Sequence, residues 1–175
     1  MMSRTDACLP SRYNRRSPSL RPRGFSLVEL LVCICVLGSV TSLAAPYLGT
    51  MLQNYRLQAT ARQLVTDLQL AKMKAVAQKV QYLVAFDTTN NRYSISMGNS
   101  SFGSTTWTQM GISRSLSDPT SPYYSQGVTL ADNFAAGTVI FSPTGQASGT
   151  GAATLTASGY LKTVAVTLAG GIYVQ

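Results

Sequence analysis

The sequence contains no histidine, and charge is sparse, with Asp, Glu, Lys and Arg making up 11% of the residues. The commonest general base and metal ligand is therefore missing. There are three cysteines, Cys8, Cys33 and Cys35, and none beyond them, so no disulfide framework can staple the remaining 140 residues. No group of cysteines and acids has the spacing of metal ligands, and neither a metal nor any other cofactor is expected. Serine and threonine are abundant, but no nucleophile-elbow glycine pattern accompanies them and no two carboxylates lie close in sequence. Catalysis is not expected of this chain.

Acids are scarce as well: six against 14 basic residues, a net charge of +8. The imbalance is mostly local. Six of the basic residues (Arg4, Arg12, Arg15, Arg16, Arg21 and Arg23) and one acid, Asp6, precede Phe25. Residues 25–175 carry eight basic and five acidic side chains, or +3. A nucleic-acid argument from the overall charge would count mainly this leader.

Residues 1–24 are polar, contain proline and serine, and show no periodicity. From residue 25 to residue 45 the chain is apolar, with Glu29 its only charge. At about 1.5 Å per residue, a helix of that length spans roughly 32 Å, enough for a bilayer core of about 30 Å. The arginines would hold the leader on the cytoplasmic side. An acid inside such a run is costly and asks for a partner. No Lys, Arg or His lies within the run. Cleavage between Gly24 and Phe25 would create one candidate, the ammonium of Phe25, in the same chain or an axially offset neighbour. Such a pair would fix register more than add stability. Alternatively, Glu29 reaches to the headgroup region.

Arg23-Gly24-Phe25-Ser26-Leu27-Val28-Glu29-Leu30-Leu31 and the apolar helix behind it resemble the processing and assembly motif of type IV pilins and type II secretion pseudopilins. The resemblance implies that prepilin peptidase cuts after Gly24 and N-methylates Phe25. It implies that Glu29 aligns the subunit in a filament of pseudopilins or pilins, after a stage in the cell inner membrane as a single-pass protein with its C-terminal domain in the periplasm. A conventional secretory signal is the competitor. Residues 25–40 would then be its apolar region, with Ser42 and Ala44 before a cut at Ala45. The length of the leader, Glu29, and a helical pattern running past that cut oppose it.

Pro46 follows the run, where a kink rather than a stop is expected. Residues 47–79 are amphipathic. Leu57, Ala61, Leu64, Leu68, Ala71 and Ala75 recur at steps of four and three, one face of a helix. Arg56, Arg62, Asp67, Lys72, Lys74 and Lys79 fall mostly off that stripe and read as a solvated face. Strands are predicted at 80–87 and 92–97, joined by a turn at 88–91. Residues 98–126 read as a long loop containing a short strand near 107–112. Further strands are predicted at 127–130, 138–142, 152–157, 162–168 and 172–174, with turns at Pro143-Thr144-Gly145 and Gly170-Gly171.

The expected fold is α+β: a long N-terminal transmembrane and amphipathic helix packed on an antiparallel β-sheet domain. The expected division is a leader at 1–24, a transmembrane helix at 25–46, an amphipathic helix at 47–79 and a periplasmic β domain at 80–175. The stretch from Phe141 through Ser142-Pro143-Thr144-Gly145 to Gly149, and the strands after it, are similar to the tail of the H-type minor pseudopilins, the GspH/FimT family. Ala61-Arg62-Gln63-Leu64 and Asp67-Leu68-Gln69-Leu70-Ala71 are similar to its helix. This resemblance implies a minor pseudopilin of a type II secretion system or, alternatively, a minor type IV pilin acting in pilus assembly or DNA uptake. DNA binding is not expected, because Lys162 is the only basic residue beyond Arg114 and phosphate contacts need clustered cations.

Overall fold

The computed structural model describes residues 24–175, except for the side chains of residues 43–47. One helix, α1 (Leu27–Gln78), is followed by eight strands: β1 (Tyr82–Asp87), β2 (Arg92–Gly98), β3 (Trp107–Ser115), β4 (Thr129–Asp132), β5 (Thr138–Phe141), β6 (Gly151–Ala157), β7 (Tyr160–Val166) and β8 (Ile172–Val174). The chain divides into two compact units, Met1–Ser42 and Leu43–Gln175, with the division inside α1.

The second unit is α+β and antiparallel throughout. It holds two four-stranded sheets rather than one, ordered β3-β2-β1-β5 and β4-β6-β7-β8. The chain leaves the first sheet at Pro143-Thr144-Gly145. Gly145, in the left-handed region, donates to Ser142, and Ser148 returns to Ile140 before the chain crosses to β6. The predicted stripe on α1 is the helical side of the core: Leu57, Ala61, Leu64, Leu68, Ala71 and Ala75 are all buried. Alternate residues of the strands complete it, Tyr82, Val84 and Phe86 from β1 and Leu155, Val164 and Val166 from the second sheet. Lys79, at positive φ, ends the helix by the left-handed route usually taken by glycine.

Several boundaries differ from expectation, and three of the differences have a local cause. β3 is nine residues long, where a six-residue strand within a loop was expected. Gly111 (φ +69°) makes a bulge there, and the interrupted alternation hid the strand. β4 begins at Thr129 because Gly127, at positive φ, still belongs to the preceding turn. β7 begins at Tyr160 because Ser158 and Gly159 form a two-residue hairpin turn with both φ positive.

Candidate assembly site

Helix α1 starts just after Ser26, whose carbonyl accepts the first bond from the Leu30 amide (3.1 Å). Ser26 and Glu29 stand three apart, the spacing of a capping box, and Glu29 lies in the first turn. Negative charge is favoured there by the unpaired amides of the helix start. The position thus has a local reason for an acid, and Ser26 was the signal for it in the sequence. Glu29 is exposed and belongs to neither of the ion pairs formed among the described residues.

Every residue from 24 to 42 is exposed. Ten large apolar side chains from Phe25 to Val40 are 51–82% open to solvent. The hydroxyls within this stretch are turned inward along the helix: Ser39 donates to Val36, Thr41 to Leu37, and Ser42 to Ser39. Their polarity is met by the helix itself, which leaves an outer surface suited to an apolar surrounding. Among the described residues no helix is long and apolar enough to cross a membrane. The expected transmembrane helix over residues 25–46, whose last four side chains lie outside the described residues, is thus not shown. Gly24 lies outside the helix with open space around its α-carbon, next to the exposed Phe25. Pro46 lies within the bounds of α1.

The solvated-face reading of Asp67 is wrong. Asp67 is 2% exposed, at the centre of a polar cluster inside the second unit. Arg114 of β3 grips it with two bonds, Nε to Oδ2 (3.0 Å) and Nη2 to Oδ1 (3.2 Å). The Tyr93 hydroxyl of β2 donates to Oδ2 (2.8 Å), and Gln63 donates to Oδ1 (3.2 Å). Tyr93 and Arg114 are cross-strand partners, so both reach the same face. The Tyr123 ring covers the guanidinium at 3.6 Å, tying in the segment that follows β3. Burial, and then the adjacent Asp67 charge, push the Tyr93 hydroxyl well above the ordinary phenol range. Asp67 stands one helical turn from both Leu64 and Ala71, beside the stripe, which is the signal the spacing carried.

Strands laid on a long helix whose leading segment is apolar and uncovered define a pilin-like subunit. Residues 60–170, more than half of the chain, match the family model described as type II transport protein GspH. The chain belongs to that family. Its fold is similar to the minor pseudopilin EpsH from the type 2 secretion system of Vibrio cholerae (TM-score 0.53, 13% identity, 69% of this chain and 96% of that one). It is also similar to the type IV minor pilin FimU of Pseudomonas aeruginosa (TM-score 0.51, 17% identity, 70% of this chain and 90% of that one). No curated protein sequence matches significantly.

Proposed function

We propose that the chain is a minor pseudopilin of a type II secretion system, a structural subunit of the periplasmic pseudopilus without catalytic activity. Prepilin peptidase cuts between Gly24 and Phe25 and methylates Phe25. The apolar run of residues 25–45 holds the protein in the cell inner membrane, with residues 80–175 in the periplasm, until the subunit moves into the filament. There Glu29 meets the Phe25 ammonium of a neighbour.

The observation that carries this reading is the uncovered apolar surface from Phe25 to Val40 in a member of the GspH family. Left in water, those ten side chains would cost on the order of 10 kcal/mol, so lipid or a bundle of similar helices must receive them. Lipid covers them before assembly and neighbouring helices cover them afterwards. Little hydrophobic free energy separates the two states, which leaves the pairing of Glu29 to decide between them.

The test is Glu29→Ala in the native host. The variant should insert and be processed, giving an intact mass that starts at methylated Phe25, and should fail to co-purify with other pilin-like subunits. Unchanged co-purification overturns the role of Glu29. A mature chain starting at Met1 or Ala45 overturns the filament reading. The likeness to FimU favours a second reading, a minor type IV pilin. Deleting the chain separates the two: loss of protein secretion supports the first, and loss of surface pili the second.

A further inference from the structure

β7 follows α1 along the second unit. Ser158, in the turn before β7, donates its hydroxyl to the side-chain oxygen of Gln53, and beyond the far end of β7 the Gly170 carbonyl accepts from Lys72 Nζ (2.9 Å). The tip of the β6–β7 hairpin therefore lies at the end of the unit where α1 enters it. Two large apolar side chains stand exposed on that tip, Tyr160 and Leu161. Leu48, Met51, Leu52 and Tyr55 are exposed on α1 at the same end. Apolar residues scattered singly over a surface need no explanation, but several gathered at one end do. Another exposed aromatic, Phe102, belongs to the loop that Ser101 ties to the Lys79 carbonyl, about 40 Å along the helix from Gln53.

The place of this end in the chain limits what covers it. The apolar run stops at residue 45, and Gln53 is about 12 Å beyond that point along the helix. A lipid headgroup layer takes up roughly 5–7 Å of the distance. A helix tilt of about 20°, the usual value, lowers the hairpin further when it is toward the hairpin side, and the side chains at the tip reach across the remainder. Charge agrees with an anionic lipid surface. Residues 43–66 and 133–175 contain no acid, while Arg56 and Lys162 stand next in sequence to Tyr55 and Leu161. Tyrosine suits such a boundary, having an apolar ring and a hydroxyl that stays wet.

We propose that the β6–β7 hairpin is a second membrane contact, with Tyr160 and Leu161 resting in the headgroup region of the bilayer that holds residues 25–45. It rests on the reading that this run lies in the membrane. A single helix leaves the domain attached to it free to turn about the helix axis. An interfacial anchor on β7, off that axis, removes the freedom and sets one orientation of the second unit on the membrane surface.

The test uses single-tryptophan reporters in the full-length protein, held in nanodiscs of phosphatidylethanolamine and phosphatidylglycerol. On a Trp107→Phe background the reporters are Leu161→Trp on the hairpin, Phe102→Trp at the opposite end and Leu37→Trp in the apolar run. Tyr160→Trp takes the place of the first if that variant does not fold. Nitroxide lipids labelled just below the headgroup should quench Leu161→Trp at least about twofold and leave Phe102→Trp unchanged. Lipids labelled deeper should quench Leu37→Trp. Acrylamide in the water should quench Leu161→Trp at least about twofold less than Phe102→Trp. A hairpin reporter as open to acrylamide as Phe102→Trp overturns the proposal. So does one that is shielded from acrylamide yet untouched by the nitroxide lipids, because a neighbouring protein then covers it. Equal lipid quenching of Phe102→Trp overturns it as well. If Leu37→Trp alone responds to the lipids, the hairpin contact fails and the membrane reading stands. If neither Leu37→Trp nor Leu161→Trp responds, both fail.

Discussion

Helix α1 carries two carboxylates, and they live in opposite surroundings. Asp67 is buried and has four bonds to three side chains of its own chain. Glu29 is exposed in the first turn and has no ion-pair partner among the described residues. The apolar residues around them divide in the same way. The leucines at 57, 64 and 68 are fully buried, while those at 27, 30 and 37 are more than 60% exposed. Similar side chains on one helix are completed within the chain in one region and left incomplete in the other. The buried acid has its partners built in, and the exposed one, on the proposed reading, finds its partner in a neighbour.

The contrast breaks most severely at Asp67. Asp67→Ala strands Arg114 in a half-dry site and should cost about 3–5 kcal/mol. Denaturant unfolding followed by the fluorescence of Trp107, the only tryptophan, reads the loss directly. Removing the whole cluster sharpens the point. Asp67→Leu with Tyr93→Phe and Arg114→Met leaves only the half-buried Gln63 amide without its acceptor and should recover most of that loss. A triple variant as unstable as Asp67→Ala would mean that the cluster is essential for packing rather than for charge.

Next comes Gly170→Ala. A methyl group there would sit 2.0 Å from the Gly145 carbonyl oxygen, at a φ of +75°. Backbone, unlike a side-chain tip, cannot swing aside, and about 2–3 kcal/mol should be lost in the same unfolding assay. Gly151→Ala first meets the Phe134 ring, a side chain, and should cost less, though that ring stacks on Phe86 at 5.1 Å.

These positions show what the sequence could disclose. The stripe from Leu57 to Ala75 was legible because a helix repeats its faces over many residues, and no other element competes for that pattern. The two glycine turns were legible for their chemistry, but the close approach of Gly170 to Gly145 is a meeting of segments 25 residues apart. β3 was half-hidden because the bulge at Gly111 breaks the alternation on which strand reading depends. Asp67 was misread because Arg114 is 47 residues away, and only the pairing of β2 with β3 brings it near. The motif at Gly24, Phe25 and Glu29 is the reverse case, a local pattern whose proposed role lies in what surrounds the chain.

Tyr93→Phe is milder than either change. Asp67 keeps its hold on Arg114 and loses one charge-assisted bond, worth about 1.5 kcal/mol. The variant also carries a pH signature. The hydroxyl titrates at about 10 when the chain is unfolded and higher when it is folded, chiefly through burial. Its contribution is therefore complete below about pH 10 and is lost as pH rises beyond that. Tyr82 is shifted the same way by burial. The wild type should lose stability above about pH 10, and Tyr93→Phe should show a shallower decline in urea midpoints taken across that range. An equal decline would mean that the phenol ionises as readily in the folded cluster as outside it.

Glu29→Ala should do least to the fold. The substitution removes a favourable charge from the first turn of α1, a matter of about 0.3–1 kcal/mol for an exposed acid at a helix start. That effect is confined to the opening turn, while Trp107 reports on strands beyond residue 43. The unfolding midpoint of the full-length protein in detergent should therefore coincide with that of wild type. If the midpoint instead fell as far as it does for Asp67→Ala, Glu29 would have an in-chain partner. The contrast between the two acids of α1 would then disappear. A coincident midpoint together with lost co-purification would place the whole effect of Glu29 between chains.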